Sequence, residues 1–289
     1  MTKVYDGNIM KVLVIGGSGY VGSNVVRLIT ADKVTYFSRS KHPELAKLGF
    51  EWIQGDITDE EKVKSSVKDY DMIVDAAGAE FPADVAFSVN VNGIKNIANA
   101  LNKNDTGQRL VYLSAINVHY GTTDFFRTKR TGEDNAALVK NHLNVRPSLI
   151  FGNGDPFTEK LIKLVKENNF GKLPSGGSLS PVHIADVVKV IEEAKDIRGS
   201  VDICSRDKVS FADLINMGLE LTGKNKKGVI TGRFGYKGAV QKLKDASVFT
   251  PEEVDKYLID YYRENTYLDR FIKTPIKFGD YLKERISKA

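Results

Sequence analysis

The 289 residues carry 42% hydrophobic residues and a formal net charge of +5, ordinary for a globular protein and enough chain for one large α/β domain with a smaller appendage. A single cysteine, Cys204, excludes an intrachain disulfide and a four-thiolate metal site in one copy, and suits a reducing, cytoplasmic compartment. No stretch approaches the roughly 18 consecutive apolar residues of a membrane span, the MTKVYDGNIM start has no apolar run resembling a secretory signal, and the modest charge gives no reason to expect a nucleic-acid partner.

Short apolar runs recur through the first half: VLVI (12–15), VTYF (34–37), WIQ (52–54), MIVD (72–75) and LVYL (110–113). Strands buried on both faces read this way, so a parallel sheet covered by helices is expected. Between the first two runs Val21, Val25, Leu28 and Ile29 recur at helical spacing. A sixth strand is expected around Asn144–Gly152, with Pro147 marking an end or a bulge. Beyond about Asp155 the alternation stops, and Leu173–Pro181 reads as a turn-rich connection. A later helix is announced by Thr250 as N-cap, Pro251 and Glu253, with Val254, Tyr257, Leu258 and Tyr261 expected on one buried face. From Lys224 to Lys244 the chain has seven basic residues and no acidic one, which reads as a solvated surface or as a site for an anionic substrate, an acidic protein or a membrane surface.

The first run leads straight into GGSGYVG, in which Gly16, Gly19 and Gly22 stand three apart and open a helix. Glycines there permit a tight turn, close approach of a pyrophosphate and close helix–strand packing, while the helix N-terminus favours anions. Ser18, Tyr20 and Val21 belong to the same loop and first turn. After the second strand the chain reads YFSRS, without the acid that usually binds the ribose hydroxyls of NAD. Arg39 can embrace a 2′-phosphate with its guanidinium fork, and Ser38 and Ser40 can donate to the same group, so NADP(H) is favoured over NAD(H).

GGSGYVGSNV resembles the nucleotide loop of the extended and atypical short-chain dehydrogenase/reductases. In the same order as in that superfamily follow QGDITD (54–59), DAAG (75–78), VNVNGIKNI (89–97), LVYLSA (110–115), RPSLIFG (146–152), PVHIADVV (181–188), VSFADLI and TPIKFGDYL. Within it the chain most resembles the NAD-dependent epimerase/dehydratase-like group that includes the nucleotide-binding accessory subunit of respiratory complex I. The resemblance implies a Rossmann-type doubly wound parallel sheet, mainly in residues 1–154, and a smaller C-terminal α/β region, mainly in 155–289, with segments around 181–205 as candidates to return to the core. It also implies that Asp56 and Ile57 flank the adenine, that Ala76, Ala77 and Gly78 line the nucleotide, and that Asn90 holds a helix beneath it. Each has a plainer reading: Asp56 as a helix cap, Asn90 as a partner for local backbone.

The superfamily's catalytic residues are a Tyr-x-x-x-Lys pair and a Ser or Thr beyond the fifth strand. The lysine holds the nicotinamide ribose and lowers the tyrosine pKa, so that the phenol exchanges a proton as hydride moves. Placing the lysine and its following glutamate on Lys129 and Glu133 puts Phe125 in the tyrosine's place, and the register through Arg130 lands on Phe126. Ser114 is the candidate hydroxyl, with Ala115 in the alternative register. Tyr120 and His119 are candidate substitutes for the lost acid, and His119 and His183 form no metal-ligand set. The expectation is an NADP(H)-binding protein without standard hydride transfer, its nucleotide a structural or redox-sensing ligand. The alternative is an NADP-dependent oxidoreductase or sugar-nucleotide epimerase/dehydratase with a relocated proton donor. It is expected in the cytoplasm, with peripheral membrane association open through residues 224–244.

Overall fold

A computed structural model describes residues 10–104, 107–264 and 266–288, so the start of the chain before Met10 lies outside the described residues. The polypeptide divides into two compact units, one reaching up to Pro147 and including Val187–Asp202, the other made of Ser148–Asp186 and the chain from Ile203 onward.

The first unit alternates strands and helices: β1 (Lys11–Ile15), α1 (Tyr20–Leu28), β2 (Lys33–Ser38), α2 (Pro43–Lys47), β3 (Glu51–Gln54), α3 (Glu60–Ser66), β4 (Met72–Asp75), α4 (Ala83–Phe87), α5 (Ile94–Asn104), β5 (Arg109–Leu113), α6 (Asp124–Ala136) and β6 (His142–Pro147). All five apolar runs are strands, and neighbours from β3 through β2, β1, β4 and β5 to β6 pair in parallel. In the central β1, β4 and β5 the side chains are buried on both faces of the sheet: Val12, Leu13, Val14, Ile73, Val74, Leu110 and Val111 are all solvent-free, whereas edge strand β3 is only partly buried. A continuous apolar strand is stable only between two helical layers, which is the arrangement of a Rossmann-type α/β fold.

Strand order reverses between β1 and β4, the place where the carboxyl ends of doubly wound sheets open a ligand crevice. One π-helical turn, Ser88–Gly93, joins α4 to α5 and carries Asn90. The sixth strand ends at Pro147, the residue expected to mark an end or a bulge, since proline has no N–H for the ladder; Ser148 bonds to the Ile203 carbonyl at 2.9 Å, and Ile150–Phe151 form a separate short strand.

The second unit holds β7 (Ile150–Phe151), α7 (Pro156–Glu167), β8 (Lys172–Pro174), β9 (Ser178–Leu179) and β10 (Val182–His183), so the turn-rich Leu173–Pro181 contains short strands. Then come α8 (Ile184–Glu193) and β11 (Gly199–Ile203), the seventh strand of the large sheet, beside β6. Arg109 ties this return to β5 by donating to the carbonyls of Ala194 at 2.8 Å and Ile197 at 2.9 Å. The chain continues with β12 (Val209–Ser210), α9 (Phe211–Leu221), β13 (Gly228–Ile230), α10 (Tyr236–Asp245) and α11 (Pro251–Tyr257).

Helix α11 begins with both halves of a capping box: Thr250 accepts from the Glu253 amide at 3.2 Å, and Glu253 accepts from the Thr250 amide at 2.8 Å. The helix stops at Tyr257, one turn short of Tyr261, which is buried instead through a bridge to Leu179. The cap aims Tyr257 into an aromatic cluster, 4.8 Å from Phe157 and 5.6 Å from Phe249. Thr250→Ala removes one cap acceptor and is expected to lower stability by about 1 kcal/mol, read as a lower urea midpoint at unchanged slope.

Candidate functional site

The turn after β1 is shaped by contacts that leave no room for side chains. Gly16 has φ of 77°, and a Cβ there would lie 2.6 Å from the Ala77 nitrogen, while one on Gly22 would overlap the Gly16 carbonyl. Gly17, which the three-residue spacing does not single out, is equally required, because its Cβ would overlap the side chain of Tyr36 across β2. Gly19 is the N-cap of α1 without a side-chain cap, and the first turn holds no acidic residue. The amides of Tyr20 and Val21 thus begin the helix at its positive pole.

A groove of about 210 Å³ runs from this turn along the strand ends. Gly16, Ser18, Gly19, Ser38, Arg39, Asp56, Ile57, Ala76, Ala77 and Gly78 line it, together with Val85 and Val89. Tyr20, Val21, Gly22, Ser40, Asn90 and Lys129 lie outside its lining. Arg39 is exposed, and no ion pair among the described residues engages its guanidinium. Ser38 is buried and already committed: its hydroxyl donates to the Ser40 carbonyl at 2.7 Å and accepts from the Trp52 indole at 3.1 Å. Its proton is engaged in shaping the loop, whereas Ser40 is exposed. Asp56 accepts from the amide and hydroxyl of Thr58, both at 2.9 Å, and Asp59 is the residue that caps α3.

At the other end of the groove the loop after β4 is clamped to α6. Asn90 accepts from the Ala79 amide at 3.1 Å and donates to the Ala79 carbonyl at 2.8 Å and to Thr128 Oγ1 at 3.0 Å. One turn of π-helix makes this reach across two elements, a role no local pattern announces. Lys129 is buried and donates to the carbonyls of Leu113 at 2.9 Å and Ala77 at 3.4 Å, with its ammonium 4.8 Å from the centre of the Tyr112 ring. Burial pushes its pKa down to about 8 despite the nearby carboxylates of Asp75, Glu80 and Glu133. Burial pushes Asp75 up to about 7, against the pull of the Lys129 charge and the Ala77 amide, which bonds it at 3.0 Å.

Phe125 stands on α6 one turn before Lys129, half-buried and edge-on to Phe126 at 5.3 Å. Phe126 is fully buried against Gly121, so neither register supplies a phenol. Ser114 lies just past β5 with its amide bonded to the Val145 carbonyl at 2.8 Å, while its buried Oγ has no hydrogen-bond partner among the described residues. An orphaned buried hydroxyl costs about 1–3 kcal/mol unless a ligand satisfies it. Tyr120 is 77% exposed. His119 lies 2.8 Å from Arg146, whose guanidinium is held by Glu133 through bonds of 2.8 and 2.5 Å. Burial lowers the Arg146 guanidinium, but the carboxylates of Glu133 and Asp202 together hold it above the usual range. In the second unit His183 packs edge-on against Phe151 at 5.2 Å and accepts from the Ala185 amide at 3.2 Å, and burial lowers its pKa.

Residues 12–141 match the NAD dependent epimerase/dehydratase family. That match, with the relatives below, supports placing the chain with the extended short-chain dehydrogenase/reductase superfamily. It is 25% identical over 256 residues to the 2-alkyl-3-oxoalkanoate reductase of Shewanella oneidensis, covering 73% of this chain and 65% of that one, and it spans less than two thirds of the curated relatives it matches. Its fold is that of two nucleotide complexes. The dTDP-4-dehydrorhamnose reductase of Bacillus anthracis with NADP gives a TM-score of 0.69 at 17% identity over 97% of this chain and 99% of that one. The Bordetella bronchiseptica enzyme WbmG with NAD gives 0.67 at 16% over 94% and 95%. The likeness to these two complexes is one of fold, and the family match supports a dinucleotide as the ligand. Among the described residues no helix is long and apolar enough to cross a membrane.

The buried Asp75 and Lys129 pair makes stability pH-dependent. Because Asp75 binds its proton more tightly when folded, its contribution is complete below the ordinary carboxyl pKa and is lost as pH rises through about 7. Lys129 acts oppositely, its contribution present above the ordinary lysine pKa and lost as pH falls through about 8. Asp75→Asn keeps an acceptor for the Ala77 amide and removes the carboxyl ionisation. Between about pH 5 and about pH 8 its urea midpoint is expected to fall less than that of the unmodified protein, or to rise. Identical pH profiles would show that Asp75 ionises without cost.

Proposed function

We propose that this protein holds NADP(H) in the groove and lacks the tyrosine-dependent hydride chemistry of its superfamily, the nucleotide acting as a structural or redox-sensing ligand. Phe125 carries this reading: it occupies the position one turn before Lys129 where the proton-donating phenol would stand, and its ring has no proton to give. The amides of the glycine turn and the start of α1 would hold the phosphates, and Asp56, Ile57 and Ala76 to Gly78 the adenosine side of the groove. Asn90 fixes the loop, and Lys129 would meet the nicotinamide ribose. Exposed, unpaired Arg39 and exposed Ser40 support a 2′-phosphate, with Ser38 holding their loop. When bound, the cofactor would supply a hydride; α6 offers no phenol one turn before Lys129 to move the matching proton, and the phenol of Tyr112 is buried with its hydroxyl against the Asn90 carbonyl.

A second reading, an NADP-dependent oxidoreductase or sugar-nucleotide epimerase/dehydratase with a relocated donor, draws on the open Ser114 hydroxyl and on Lys129, whose pKa of about 8 suits proton exchange near neutrality. It also draws on relatives named as a 2-alkyl-3-oxoalkanoate reductase and as an undecaprenol-linked sugar 4-epimerase. In the first reading a partner assembly would use the bound nucleotide, as in the accessory-subunit group of respiratory complex I. The basic 224–244 stretch is the candidate contact for an acidic or anionic partner, including a membrane surface, in the cytoplasm; Lys224, Lys226 and Lys244 are already engaged by α7 carbonyls, Glu220 and Asp255.

NADPH is expected to bind more tightly than NADH, and Arg39→Ala to narrow the gap by about ten- to hundredfold, the worth of a charge-assisted contact. Tighter NADH binding by the unmodified protein would overturn the 2′-phosphate assignment. The unmodified protein is expected to bind NADPH without reducing generic ketones, and Phe125→Tyr to gain measurable NADPH oxidation if the phenol is the only missing part. Turnover by the unmodified protein that is lost in Tyr120→Phe or His119→Ala would instead identify a relocated donor.

A further inference from the structure

A short loop, residues 231–235, joins β13 to α10 and is tied at both ends to Ser175, just past β8. The Ser175 amide donates to the Ile230 carbonyl at 2.9 Å, and the Tyr236 hydroxyl donates to the Ser175 carbonyl at 2.8 Å. Gly235 ends the loop as the N-cap of α10 with φ of 77°, a left-handed turn that suits glycine. From this anchored turn Phe234 projects with 98% of its surface in water, against 77% for Tyr120, the next most exposed large apolar side chain among the described residues. Scattered apolar residues on a surface are ordinary. A phenyl ring held almost wholly in water by a loop fixed at both flanks stands where only something outside the chain can cover it.

The charges next to the ring are cationic and unspent. Arg233 precedes it and Lys237 stands in the first turn of α10; both are exposed, and neither makes an ion pair among the described residues. That first turn holds no acid, so the positive pole of the helix adds to the same potential. One carboxylate, Asp255, reaches this region through its charge on Tyr236, and it is held by Lys244 at 2.8 Å. The remaining loop residues, Thr231, Gly232 and Gly235, carry no apolar bulk. A protein partner would need a contiguous apolar core of matched shape, commonly about 800 Å² on each side, and one ring among glycines and cations does not supply it. A bilayer asks for no matched core. Its interface accepts aromatic rings singly, and its anionic headgroups gather basic side chains.

Resting on the reading of residues 224–244 as an anionic contact, we infer that the 231–235 loop docks the protein on an anionic membrane surface, with the Phe234 ring entering the headgroup layer while Arg233 and Lys237 meet lipid phosphates. The ring and the cations act on different parts of the bilayer, so each contributes where the other cannot. One ring and two cations make a reversible, salt-sensitive attachment. Lys103 supplies an internal control. It is an exposed lysine on α5, in the first unit, and its removal changes the net charge by the same amount as removal of Arg233 or Lys237.

The test sediments the intact protein with phosphatidylcholine vesicles, with and without about one third phosphatidylglycerol. Binding to the anionic vesicles is expected to be at least about tenfold tighter than to the neutral ones, and to fall by at least about tenfold at about 0.5 M salt. Phe234→Ser is expected to weaken it by about tenfold, the worth of one buried apolar side chain, and Arg233→Gln and Lys237→Gln by about fivefold each. Lys103→Gln is expected to leave it unchanged. The emission of Phe234→Trp is expected to shift to the blue on adding anionic vesicles, with no such shift in the unmodified protein, whose one tryptophan is Trp52. No binding to anionic vesicles, Phe234→Ser binding as tightly as the unmodified protein, an unshifted Phe234→Trp emission, or Lys103→Gln weakening binding as much as Arg233→Gln would overturn the inference. Titration with polyglutamate, a stand-in for an acidic protein, keeps the two readings apart. If polyglutamate binds through Arg233 and anionic vesicles do not bind, the membrane inference falls and the anionic contact stands; if neither binds, both fall.

Discussion

The ammonium of Lys129 sets the geometry of the site. A lysine charge taken out of water is costly unless its donors are satisfied and a counter-charge is near. Here the carbonyls at the ends of β4 and β5, the face of Tyr112 and the carboxyl of Asp75 supply those needs. Satisfying it requires α6 to lie close over the strand ends. Gly132 permits that approach, because a Cβ there would meet the Asn90 carbonyl at 2.5 Å and overlap the Tyr112 hydroxyl. Asn90 then joins the same helix to the loop after β4, so the loop that lines the groove is held from two sides.

What the sequence disclosed follows from how local each requirement is. Five strands were legible because burial on both faces demands unbroken apolar runs, and the glycine turn because close backbone packing repeats at short spacing. The capping box of α11 was legible for the same reason, both partners lying within four residues. Requirements set by distant neighbours were not. Gly17 is needed because of Tyr36, a residue on the next strand, and the Ser38 hydroxyl is occupied because Trp52 on β3 reaches it. Tyr261 is buried by Leu179 rather than by continuing a helix.

The same distinction explains why Phe125 can be read from sequence while its consequence needs structure. The four-residue spacing to Lys129 fixes which position should hold the phenol. Only the fold shows that Phe126, the other register, is fully buried, that Tyr120 stands in solvent, and that His119 lies against Arg146. Lys129, where the resemblance expects the superfamily's lysine, is thus held by two backbone carbonyls with a phenylalanine one turn earlier. Retaining a buried lysine of this cost without the phenol is consistent with a positional role, since its bonds to two carbonyls hold α6 whatever ring stands one turn earlier.

The polarity of the groove follows from the same arrangement. Its positive potential is concentrated at one end, where the uncapped start of α1 and the unpaired guanidinium of Arg39 face solvent. At the other end the ammonium of Lys129 is already shared among carbonyls and feels the carboxylates of Asp75, Glu80 and Glu133. A dinucleotide with a 2′-phosphate on its adenosine ribose, its pyrophosphate in the middle and its nicotinamide ring at the far end would match that gradient in a single direction. Reversing it would strip water from the phosphates against acids while leaving Arg39 without a partner, two penalties of the same sign. Under the proposed reading, the uneven placement of charge along the strand ends would set the direction in which a dinucleotide lies, independently of any group that reacts.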